Sequence, residues 1–146
     1  MKMSPPHSFP HQPKARRGTP EADAQREIVR FLRIVLPQGA VVHHSANEVR
    51  GSGHGHKRAQ ALAVGMGVHA GFSDLLVMSE RRMLFLEVKS KTGRSTDAQR
   101  GFEADCVAQG HAYEIVRSVE DTRSALAKHK FTTREWRRSC PQKRTA

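Results

Sequence analysis

Asp74, Glu87 and Lys89 are the residues of this chain whose types and spacing could do chemistry. They lie in Gly71-Phe72-Ser73-Asp74-Leu75-Leu76-Val77-Met78 and Met83-Leu84-Phe85-Leu86-Glu87-Val88-Lys89, two apolar runs joined by Ser79-Glu80-Arg81-Arg82. Such runs around a short polar turn predict a β-hairpin. With the turn centred between Glu80 and Arg81, Met78 faces Met83, Leu76 faces Phe85 and Asp74 faces Glu87. Directly opposed residues have Cβ atoms about 4.5–5.5 Å apart, and like charges there are destabilising. Two carboxylates so placed want a cation between them. Lys89, two residues beyond Glu87, projects from the same face. Asp, Glu and Lys presented together outline a metal-dependent phosphodiesterase centre.

A blander reading makes Asp74 a turn residue and Glu87 and Lys89 a solvated strand edge. The neighbours argue against it. Leu76, Met78, Met83 and Phe85 share the acidic face, and Leu75, Val77, Leu84, Leu86 and Val88 form the other. A hairpin apolar on both faces is covered on both, and charged side chains are rarely buried without partners.

The elements that must position this hairpin are legible by pattern. Thr19-Pro20 gives an N-cap with proline at the first helical position, and the helix runs to about Leu36, before Pro37-Gln38-Gly39. Its apolar stripe is Ala24, Ile28, Phe31, Leu32 and Val35. On a helical wheel Glu21 and Gln25 fall on that stripe and Glu27 falls to its flank. Glu21 therefore reads either as a carboxylate aimed toward the centre or as compensation of the helix dipole. Ala40 to His44 predicts a strand, Asn47 to Arg58 a polar glycine-rich loop, and Ala59 to Met66 a short helix. After Lys89 a basic turn holds Lys91, Gly93 and Arg94. Thr96-Asp97-Ala98-Gln99 is a capping-box pattern for a helix with Phe102 and Cys106 inward, ending at Gly110. Ala112 to Val116 predicts another strand and Val119 to Ala127 a last helix.

Length suits one domain with tails: a basic arm over 1–18, a domain over 19–128 and a basic tail over 129–146. Residues 1–18 hold four Lys or Arg and no acid, while 128–146 hold seven and one acid, Glu135. Of the net charge of +11, only +1 remains for 19–127. Basic arms on a near-neutral domain suit a phosphate backbone, which releases counterions on binding. No apolar stretch is long enough to span a membrane, and no apolar leader is seen. Cys106 and Cys140 are the only cysteines, too few for a disulfide framework, which fits a cytoplasmic protein. His54-Gly55-His56 could chelate zinc, but lies in a glycine-rich loop without supporting elements.

Taken together, Gly71-x-Ser73-Asp74-Leu75-Leu76, Phe85-Leu86-Glu87-Val88-Lys89 and Gly93-Arg94-x-Thr96-x-x-Gln99-Arg100 resemble the VRR-NUC domain, a branch of the PD-(D/E)xK nuclease superfamily. The resemblance runs from about Glu21 to Leu126 and includes Glu21-x-x-x-Gln25, Asn47 and Gly110. Ser73 stands where the superfamily pattern has proline. The resemblance implies an α/β fold with a restriction-endonuclease-like core, a mixed β-sheet flanked by helices in the order α-β-β-β-α-β. It implies cleavage of DNA phosphodiesters with Mg²⁺ or Mn²⁺, in repair, recombination or phage settings. Asp74, Glu87 and the Val88 carbonyl would hold the metal, with Glu21 helping. Lys89 would position water or offset developing charge. Gln99 would orient Lys89 or touch a phosphate, unless it serves only the capping box. Lys57, Arg58, Lys91 and Arg94 are candidate phosphate contacts. A homodimer would match the two-fold symmetry of a four-way junction. The alternatives are a non-catalytic nucleic-acid-binding module on a nuclease fold and a ribonuclease; one Tyr and one Trp leave few platforms for stacking single-stranded RNA.

Overall fold

The computed structural model describes residues 19–45 and 54–135, without the side chains of His54 and His56. The expectations for the arm over 1–18, for Asn47 and for Cys140 lie outside the described residues. The first helix, α1 (Pro20–Val35), starts as expected, with Thr19 Oγ1 accepting from the Ala22 N–H. Strand β1 (Val41–His44) follows. Next come α2 (His54–Gly65), β2 (Leu75–Ser79), β3 (Arg82–Val88), α3 (Asp97–Ala108), β4 (Ala112–Val116) and α4 (Val119–Lys128).

The four strands form one mixed sheet in the order β1-β2-β3-β4, antiparallel except for the parallel β3 and β4. A parallel neighbour needs a crossover, and α3 supplies it. The hairpin register is the expected one, with Met78 opposite Met83 and Leu76 opposite Phe85. Its two turn residues, Glu80 and Arg81, have φ of 49° and 66°, the sense of twist that lets a two-residue turn join twisted strands.

Each face of the sheet has its own core. Leu75, Val77, Leu84, Leu86 and Val88 pack with Ile28, Leu32 and Val35 of α1 and Ala125 and Leu126 of α4. On the opposite face Phe85 and Tyr113 pack with Phe102 and Cys106 of α3, flanked by Phe72, Leu76 and Met83. Glu87 and Lys89 have the parity of Phe85, so the acidic residues face the α3 side.

Two boundaries differ from expectation. The segment read as a loop through Arg58 is helical from His54, so Lys57 and Arg58 belong to α2. Good helix formers such as Lys57, Arg58, Ala59 and Gln60 carry the helix across Gly55, whose cost is about 1 kcal/mol. Beyond Lys128, where the domain was expected to end, Phe131 is only 4% exposed and joins the α1/α4 core. Thr132 then hydrogen-bonds Glu80 at 2.6 Å, tying this segment to the hairpin turn. No helix among the described residues is long and apolar enough to cross a membrane.

Candidate active site

The centre is built at the end of the sheet away from the hairpin turn. Continuing the ladders beyond Leu75 places Asp74 beside Glu87 on one side and Ser45 on the other. The Ser45 N–H donates to the Asp74 carbonyl at 2.9 Å, so Ser45, Asp74 and Glu87 form a row across three strands. Asp74 Oδ2 accepts from the Val88 N–H at 2.8 Å, which fixes the first carboxylate against the strand carrying the second.

Glu87 is fully buried. Its Oε1 accepts from Lys89 Nζ at 2.6 Å and also from Gln99 Nε2. Its Oε2 is buried with no partner. Burial raises the Glu87 pKa to about 7; Lys89 opposes the shift, and the charge and close contact of Asp74 add to it. Lys89 is itself 7% exposed, so this is a nearly buried ion pair rather than a solvated edge.

Gln99 serves the capping box and also reaches the acidic pair. Its Oε1 accepts from the Thr96 N–H at 2.9 Å, while Thr96 Oγ1 accepts from the Gln99 N–H, completing the capping box of α3. Its Nε2 goes to Glu87, not to Lys89. The position of α3 is set by a close approach: Gly71 has φ 77°, and a Cβ there would overlap the Ala98 carbonyl. The chain entering β2 can therefore lie against the first turn of α3 only with glycine at 71.

The remaining candidates are distributed unevenly. Lys91 and Arg94 are exposed in the turn that follows Lys89. Lys57 and Arg58 are exposed on α2, which among the described residues makes no close backbone contact with another element. Glu21 is half-buried and Glu27 exposed, the order the helical wheel gave. The C-terminus of α1 leads into β1 at the hairpin-turn end, so α1 begins at the end of the sheet where Asp74 and Glu87 sit. Its apolar stripe nevertheless packs on the opposite face. Among the described residues no three His, Cys, Asp or Glu come together as a metal cluster. Glu21 is thus not gathered with Asp74 and Glu87; the side chains of His54 and His56, the zinc candidates, lie outside the described residues.

Two carboxylates still fit a hard divalent cation. Mg²⁺ keeps several waters and is bound through one or two carboxylates, and the unpartnered Glu87 Oε2 beside Asp74 is an oxygen donor with nothing to bind. A cavity of about 340 Å³ between the end of α1 and the start of β1 is lined by Arg33, Gln38 and Arg134 but by no acid. It lies at the turn end, away from this chemistry.

Sequence reasoning missed Ser45 and Tyr113. Both hydroxyls are buried without partners, and both are on the α3 face. The only signal available was strand parity: Ser45 continues β1 beyond His44, and Tyr113 alternates with Ala112 and Glu114 on β4.

The chain is a mixed α/β domain in which helices flank a four-stranded sheet. A solved structure described as a "VRR_NUC domain protein" has the same fold, with a TM-score of 0.60 and 20% sequence identity over 80% of this chain and 93% of that one. No protein-family model matches the chain, and no curated protein matches it. The expected architecture, a mixed sheet flanked by helices, is therefore the one observed.

Proposed function

We propose that the chain is a divalent-cation-dependent endonuclease of the PD-(D/E)xK type, hydrolysing DNA phosphodiester bonds with Mg²⁺ or Mn²⁺. The observation that carries this reading is Glu87: a fully buried carboxylate, one oxygen unpartnered, next to a second carboxylate. Burying such a pair costs free energy, and a fold-stabilising role would be better served by an apolar pair.

Asp74 and Glu87 would hold the cation, with the Val88 carbonyl beside them and Glu21 acting at a distance. Bound there, a divalent cation supplies positive charge for the phosphate and acidity for a water. Lys89 offsets charge developing on the phosphate oxygens; in the cation-free state it rests on Glu87. Gln99 fixes the Glu87 carboxylate from the rigid first turn of α3. Lys91 and Arg94 flank the centre and contact phosphates there, while Lys57 and Arg58 reach the backbone from α2. The basic arms add salt-sensitive affinity. The partner is DNA, in a cytoplasmic setting of phage or bacterial repair or recombination. Selectivity for junctions, flaps or nicks belongs to the same reading, as does a homodimer matched to a two-fold junction.

The test is cleavage of duplex, nicked, flapped and four-way-junction DNA in Mg²⁺, Mn²⁺ and EDTA, with Asp74→Ala in parallel. Cleavage that needs the cation and is lost in the variant is expected. DNA binding without cleavage under every condition would replace this reading with the non-catalytic binding module.

A further inference from the structure

Among the described residues three buried side-chain atoms lack a hydrogen-bond partner: Ser45 Oγ, Glu87 Oε2 and Tyr113 Oη. All three lie on the α3 face of the sheet, at or next to the acidic pair. An unsatisfied buried polar group costs about 1–3 kcal/mol, so three in one place mark a common use. Tyr113 is the one whose cost is hardest to account for by packing. Its ring sits edge-on to Phe102, with centroids 6.1 Å apart, in the cluster that also holds Phe85 and Cys106. Phenylalanine would fill that space equally well without burying a hydroxyl.

The parallel register pairs Phe85 with Tyr113 and Glu87 with Ile115. Tyr113 is therefore one diagonal step from Glu87 on the same face, a separation that aromatic side chains can bridge. The two donors that reach Glu87, Lys89 and Gln99, both go to Oε1. A carboxylate offers about four lone-pair sites on its two oxygens, so a donor at Oε2 leaves room for a cation on the same oxygen. We propose that Tyr113 is a positioning residue for Glu87, its hydroxyl donating to Oε2, directly or through one trapped water, when the carboxylate holds a cation. The hydroxyl remains a donor throughout, because burial and then the charge of Glu87 push its pKa upward. This inference rests on the reading of Asp74 and Glu87 as a cation centre and extends it to the strand behind.

Tyr113→Phe in the full chain separates this role from packing. Calorimetric titration with Mn²⁺ is compared with thermal unfolding in EDTA for wild type, Tyr113→Phe and Asp74→Asn. Partners that orient a metal ligand affect affinity by about 10–100-fold. Tyr113→Phe is therefore expected to bind Mn²⁺ about 10-fold more weakly, with a melting temperature in EDTA equal to or above that of the wild type. Wild-type affinity in Tyr113→Phe overturns the inference alone, as does an affinity loss matched by a fall in melting temperature. Absence of Mn²⁺ binding by the wild type overturns the cation reading and this inference with it.

Discussion

Replacing Glu87 by glutamine keeps the shape of the side chain and an acceptor for Lys89 and Gln99, while removing the charge that ionisation would bury. Desolvation, reinforced by Asp74 and opposed by Lys89, holds the carboxyl at about 7 instead of 4.5. Unfolded, Glu87 loses its proton near 4.5; folded, it keeps it until about 7. The native state therefore binds more protons within that window, and stability falls as pH rises through it. At 1.36 kcal/mol per pKa unit the wild type loses about 3 kcal/mol between acid and mildly alkaline pH. Glutamine does not titrate. Ionisable groups that do not interact with Glu87 are common to both proteins and cancel in the difference, whereas Asp74 and Lys89 touch it and set the precision of the figure. The stability of Glu87→Gln relative to wild type should therefore rise by about 3 kcal/mol from pH 4.5 to pH 8. Urea unfolding in EDTA, followed by far-UV circular dichroism at several pH values, measures it. Parallel pH profiles for the two proteins would refute the claim that Glu87 is held protonated by burial.

Four further outcomes are expected. Lys89→Ala should retain Mn²⁺ binding by calorimetry while DNA cleavage falls about 100-fold or more, the scale for losing one charge-stabilising donor; loss of Mn²⁺ binding would make Lys89 structural. Glu21→Gln should reduce cleavage more than Glu27→Gln, and side-by-side rates in the reverse order would mean that the half-buried face of α1 is not the one that serves the centre. Gly71→Ala should destabilise by more than about 1 kcal/mol, because alanine is strained at positive φ and its methyl meets the Ala98 carbonyl; an unchanged melting temperature would contradict the close approach. Ending the chain at His129 removes Phe131 from the core and should cost about 3 kcal/mol or more, whereas ending it at Glu135 keeps that contact; equal melting temperatures for the two truncations would remove Phe131 from the core.

The hairpin was readable because its register follows from apolar pairing about a two-residue turn, and Met78 opposite Met83 carries Asp74 to Glu87 by counting alone. The caps at Thr19 and Thr96 were readable because each places a hydroxyl before a helical run. Contacts between distant segments were not. That Gln99 reaches Glu87 depends on how the crossover lays α3 over β3, which the capping pattern does not encode. Tyr113 enters the site only through the parallel pairing of β3 with β4, and Ser45 only through the extension of β1. Phe131 follows the last helix in a basic segment, and charge masked its burial. At α2, glycines were read as punctuation although the residues after Gly55 sustain a helix.

Helix α2 has a consequence for exchange with solvent. It has 12 residues, a length at which an isolated helix is marginal in water, and among the described residues no other element packs against it. Leu62 and Val64 are exposed along it, as is Met66 just beyond its end. Its amides should exchange with deuterium by local opening, far faster than those of β3, whose exchange requires global unfolding. Lys57 and Arg58 ride on that element, so any phosphate they bind must also hold the helix folded. Slowing of α2 exchange on adding DNA would then report binding at these two cations separately from binding at Lys91 and Arg94, which lie in the turn after β3.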